Sequence, residues 1–172
     1  MTTKRITLTL TITLALIFGM TAMSHAFWGL PKKSFGRAIE KALKHERYDR
    51  PEEAKEQWQI ALEKGNILLT EGDPEKSEYL IGTARAHYGL GDYAKAAELY
   101  EKMLKVKTDA GYTKLNEAYP WVYVYLGLTY AKLNDSTKAI EYWEQVPMTI
   151  GKVYSSIQDQ LAALKGKKTA EK

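Results

Sequence analysis

"YGLGDYAKAAELYEKML", residues 88–104, is echoed further along the chain by "KLNDSTKAIEYWEQV", residues 132–146. Aligned on the alanine that begins each amphipathic run, Ala96 and Ala139 stand 43 residues apart, and Ala54, in "PEEAKEQWQIALEKG", stands 42 residues before Ala96. Four residues after each alanine comes a large aromatic (Trp58, Tyr100, Trp143), and seven after comes an apolar residue (Ala61, Met103, Val146). Twelve residues before each alanine is a small residue, Ala42, Ala84 or Gly127, followed three positions on by His45, His87 or Tyr130. Offsets of three, four and seven keep side chains on one helix face. The gap of twelve spans a helix end, a short turn and a new helix start, so the spacing predicts helical hairpins in tandem.

The punctuation agrees. Pro51 sits where a helix start tolerates a missing N–H, and "GLGDY" offers Gly91 as a helix stop and Asp92 as the next cap. "LNDST" offers Asn134, Asp135 and Ser136 for the same purpose, and "EGDPEK" breaks between units with Asp73 as cap and Pro74 at the first helical position. The small residues and the alanines are expected where the two helices of a hairpin cross, since larger side chains would push them beyond the roughly 8–10 Å of ordinary packing. The aromatic is expected to cover that seam and stack onto the following hairpin.

This pattern resembles the tetratricopeptide repeat. Unit three carries it on Tyr123, Leu126, Gly127, Tyr130, Asn134, Ala139 and Trp143; unit two on Leu80, Ala84, Gly91, Asp92, Tyr93, Ala96 and Tyr100, departing at Thr83 and His87. Unit one is the weakest match, with Lys41 at a leucine-like position. The resemblance covers about residues 34–148. It implies an all-α fold of tandem hairpins, at about 34–70, 74–108 and 112–147, forming a short right-handed superhelix. The family's usual period is about 34 residues; the extra length here falls in "EKGNILLTEGDP" and "VKTDAGYTKLNEAYP". A repeat stack needs a lid, and Val153, Ile157, Leu161 and Leu164 form one stripe that makes residues 150–164 the capping helix. The tail 165–172 reads as a frayed, solvated end.

The chain's 172 residues suffice for one domain with a sizeable core. Residues 1–26 read as a secretory signal peptide: Lys4 and Arg5, then the apolar stretch Ile6–Met20, then Ser24 and Ala26 before Phe27. That stretch is short of the roughly 20 residues a membrane span needs, so cleavage after Ala26, a periplasmic location and no stable membrane insertion are expected; a retained anchor is the alternative. Residues 27–33 form a leader in which Phe27 and Trp28 either float or dock. With no cysteine, thiol catalysis, zinc–thiolate sites and iron–sulfur clusters are excluded. The net charge of +4 is concentrated at the ends: between Phe27 and Leu164, 19 basic side chains face 20 acidic ones, which gives no basic face for nucleic acid.

No catalytic, cofactor or metal site emerges. His45 and His87 occupy the register of Tyr130 and read as seam residues rather than metal ligands. Glu52–Glu53 and Glu98–Glu101 are expected on solvated faces, and Gly89–Gly91 is helix punctuation rather than a phosphate loop. The resemblance implies a non-enzymatic adaptor whose concave groove is lined by first-helix positions: Ile39, Leu43 and Arg47; Ile81, Arg85 and Tyr88; Val124, Leu128 and Lys132. An apolar floor with Arg47, Arg85 and Lys132 along it suits a protein or peptide bearing acidic groups. Replacing Arg85 and Tyr88 by alanine is expected to abolish capture without changing melting. Three other readings stay open: an accessory subunit of a periplasmic enzyme complex, a glycan-binding module built on Trp121, Val124, Tyr125 and Leu128, and homo-oligomerisation through the end caps.

Overall fold

A computed structural model describes residues 33–170. The expected signal peptide and the leader through Lys32 lie outside the described residues. Eight α-helices and no strand occur among the described residues. Helices α1 (Lys33–Arg47) and α2 (Pro51–Ile67) pair, as do α3 (Ser77–Gly89) and α4 (Tyr93–Asp109). After a short α5 (Leu115–Ala118), α6 (Pro120–Lys132) pairs with α7 (Ser136–Glu144), and α8 (Lys152–Ala170) lies against α7. The pairs stack through α2 on α3 and α4 on α6.

Each hairpin turns in three residues by the same device. Asp49, Gly91 and Asn134 adopt φ of +53°, +83° and +61°, repeating the 42- and 43-residue period. The N–H groups of Arg50, Asp92 and Asp135 each donate to the carbonyl five residues back, on His45, His87 and Tyr130, at 2.9 Å. This left-handed stop satisfies carbonyls that the helix end would otherwise orphan. Asp92 and Asp135 then cap the next helix, accepting from the N–H of Lys95 and Lys138 at 3.3 and 3.0 Å. Position three after the small residue thus serves the turn through its backbone carbonyl, which histidine and tyrosine supply equally.

The seam positions are buried as their spacing requires: Ala42, Ala84, Ala96, Ala139, Ala61 and Met103 are all fully enclosed. Trp58, Tyr100 and Trp143 are likewise interior. Tyr100 and Trp58 reach the following hairpin, Tyr100 stacking on Tyr125 and Trp58 lying under Gly89. Trp143 does otherwise. Its indole folds back over Gly127 of its own hairpin and donates to the Val124 carbonyl at 3.2 Å. The notch left by the missing Cβ of Gly127 admits it.

The long period has a structural source. Helix α2 continues into a π-helical turn, Leu68–Gly72, which buries Leu68. Helix α4 runs to Asp109, and α5 inserts Leu115 into the core. The Asp73–Pro74 pair does not cap a helix. The π turn delays α3 to Ser77, and Asp73 instead closes a turn, accepting from the Glu75 N–H at 2.9 Å. Of the expected stripe on α8, Val153, Ile157 and Leu161 are buried and Leu164 is half-buried. The helix, however, continues past Leu164 through the lysine-rich residues to Ala170. Cations are favoured at a helix C-terminus, and Lys165 reaches Glu144 at 2.6 Å.

Candidate partner-binding face

The first helices of the three hairpins are tied together by one buried cation. Helix α3 is apolar around almost its whole circumference, with every residue from Tyr79 to Ala86 buried; a helix of that kind is enclosed on all sides. Arg85 lies within it, its side chain 9% exposed. Nη2 donates to Glu46 Oε2 of α1 at 2.8 Å, and Glu46 Oε1 accepts from Trp58 Nε1 of α2 at 2.8 Å. The guanidinium carbon stands 4.5 Å from the Trp58 ring centre, 4.9 Å from Tyr125 of α6 and 5.2 Å from Tyr88 of α3. Tyr88 meets Tyr125 and Tyr93 edge-on at 5.7 and 5.3 Å, and Tyr100 stacks on Tyr125 at 6.0 Å. A guanidinium is permanently charged and weakly hydrated, and aromatic faces replace part of the water it loses. Arg85 Nε and Nη1 and the Tyr100 hydroxyl are buried without an acceptor among the described residues.

Burial pushes the Tyr88, Tyr100 and Tyr125 phenols above their ordinary value of 10.0, with the Arg85 charge pulling each partly back. They therefore offer neutral π faces at physiological pH. A phenol whose folded pKa is raised contributes stability that is complete below its unfolded value and disappears as pH rises through the folded value. The helices are accordingly expected to melt above pH 10.0, with a late-titrating fraction of tyrosines ionising as helicity falls. Phenolate absorbance and circular dichroism followed together check this. Ionisation of all tyrosines near their ordinary value with helicity intact would contradict it.

The second helices carry a separate brace. Glu101 of α4 accepts from the hydroxyls of Tyr130 and Tyr142 at 2.5 and 3.0 Å, and Lys138 reaches Tyr130 Oη at 3.0 Å. Glu98 pairs with Lys95 at 2.7 Å, and Glu52 and Glu53 lie in the first turn of α2; all three carboxylates are exposed. His87 Nδ1 meets Asp92 Oδ2 at 3.0 Å. No group of three His, Asp or Glu residues suited to a metal ion occurs among the described residues.

The nine expected groove residues divide sharply. Ile39, Ile81, Val124 and Leu128 belong to the cores, and Val124 is fully enclosed. Side chains enclosed to that degree pack against neighbouring helices, so the four are packing residues. Arg85 is buried in its aromatic box, and its removal would disturb folding; the expectation of unchanged melting fails for that reason. Leu43 and Tyr88 are half-buried, while Arg47 and Lys132 are exposed. The expected glycan platform contracts similarly, since Val124, Tyr125 and Leu128 are buried and only Trp121 is partly accessible. Sequence reasoning missed Glu46 and Trp58 as partners of Arg85. The available signal was a lone arginine inside the nearly apolar "YLIGTARAHYG", residues 79–89.

Profiles of the tetratricopeptide repeat match residues 37–112 and residues 121–147. With the stacked hairpins, these matches show that the chain belongs to the tetratricopeptide repeat family, whose repeats serve protein–protein interaction and scaffolding. A search of curated proteins returned no match. No helix among the described residues is long and apolar enough to cross a membrane.

Proposed function

We propose that the protein is an exported, non-catalytic adaptor of the bacterial cell envelope that holds a protein or peptide on the side formed by α1, α3 and α6. The observation that carries this reading is the row of contacts through Glu46, Arg85, Tyr88 and Tyr125, which sets those three helices side by side. Tyr88 and Leu43 are half-buried, and the exposed Arg47 and Lys132 put positive charge in the last turns of α1 and α6. An acidic partner segment fits that combination. Export is supported by the basic head, apolar stretch and small residues of positions 1–26.

The test is capture of partners from envelope extract by the wild-type protein and by an Arg47→Glu, Lys132→Glu variant, beside sedimentation with peptidoglycan. Loss of specific partners with circular dichroism unchanged is expected, since both side chains are solvent-exposed. Identical capture by both proteins would remove the face from consideration. Sedimentation with peptidoglycan alone would favour the glycan reading.

A further inference from the structure

The near-neutral folded region conceals an uneven distribution of charge. On α1, Arg37, Lys41 and Lys44 recur at offsets of four and three, so they share one stripe of the helix. All three are exposed, opposite the buried Phe35, Ala38, Ile39 and Ala42. Arg47 lies at the stripe's border. The acidic residues of α1 are only Glu40 and Glu46, and Glu46 is committed to Arg85 and Trp58. None of Arg37, Lys41 and Lys44 makes an ion pair among the described residues. Elsewhere Lys95, Lys105, Lys114, Lys138 and Lys165 each have a carboxylate within 4 Å, while Lys55, Lys102, Lys132 and Lys152 are exposed and unpaired among the described residues but do not form a stripe of three on one helix. One residue past the helix, Tyr48 is 60% exposed. A tyrosine with an apolar body and a polar tip favours the headgroup level of a bilayer.

We infer that the outer face of α1 docks on a membrane surface through anionic phospholipid headgroups. Charge complementarity argues for this occupant. The first helix would then lie along the surface. The inference does not rest on the partner-binding reading, because Arg37, Lys41 and Lys44 are not among the residues of that face, although Arg47 of the same helix borders the stripe.

The buried residues run from Phe35 to Leu161, so a chain beginning at Phe27 keeps the whole described core and suits the test. Sedimentation is measured with vesicles of phosphatidylcholine alone and with phosphatidylglycerol added, at low and high salt. Binding is expected only to the phosphatidylglycerol vesicles, and salt should abolish it. A basic residue near an anionic surface contributes about fivefold in affinity, so R37Q/K41Q/K44Q should bind on the order of 100-fold more weakly. The variant K95Q/K102Q/K105Q removes the same charge from α4 and should bind like wild type. Circular dichroism confirms that both variants are folded. Equal binding to both vesicles, or an unaffected stripe variant, would overturn the inference. Retention on immobilised polyglutamate with no vesicle binding would also overturn it and assign the stripe to an acidic protein.

Discussion

Gly127→Ala is expected to lower the stability of the protein by about 1–2 kcal/mol, and the melting temperature by roughly 3–6 °C. A Cβ at this position would stand 2.2 Å from Trp143 Cδ1 and Nε1 and 2.7 Å from Cε2. The indole has nowhere to retreat. It is 1% exposed, and its N–H is held by the Val124 carbonyl. Overpacking of that kind costs about 1–3 kcal/mol or more, against which alanine regains about 1 kcal/mol of helix propensity. Gly166→Ala is the control. It lies in α8 with nothing within 4 Å, so only the propensity acts and stability should rise by up to about 1 kcal/mol. Thermal or denaturant unfolding of the two variants decides the matter: opposite signs are expected, and a neutral Gly127→Ala would mean that the notch is not filled.

That glycine shows how much of the fold the sequence made legible. The period of 42 and 43, the small residues at 42, 84 and 127 and the aromatics at 58, 100 and 143 locate the helix seams, because seam packing depends on side-chain size at fixed helical offsets. The direction each aromatic takes does not depend on those offsets. Trp58 and Trp143 share a register, yet Trp58 reaches toward Glu46 and Gly89, and Trp143 turns back toward Val124. The π turn after α2 was illegible for a similar reason. Its "ILLTEG" fits a loop as readily as a helix end until Leu68 finds the core. The groove was the least legible part. Whether a first-helix residue faces a partner or a neighbouring helix depends on contacts from other hairpins, which moved Arg85 and Val124 from the surface to the interior.

Glu46→Ala is expected to destabilise the protein by about 2 kcal/mol, more than loss of any exposed ion pair in the molecule. The change leaves a guanidinium that cannot deprotonate, with its one charged partner removed. Breaking a fully buried pair costs about 3–5 kcal/mol. The Glu46 side chain is 29% exposed, and the faces of Trp58, Tyr88 and Tyr125 still shield the cation, so the loss falls below that range. Glu46→Ala also strips the Trp58 N–H of its acceptor. By contrast, Lys95→Ala removes a solvated pair on α4 and should change stability by less than about 1 kcal/mol.

The account rests on Arg85 as the joint that binds the first helices of the stack to one another, and a double-mutant cycle between Glu46 and Arg85 tests it most directly. Denaturant unfolding of Glu46→Ala, Arg85→Met and the double variant is expected to show the double variant about 2 kcal/mol more stable than additive single losses imply, because Arg85→Met removes the stranded charge while keeping its bulk. Losses that simply add would show that the two residues act independently, and the proposed joint between the hairpins would not exist.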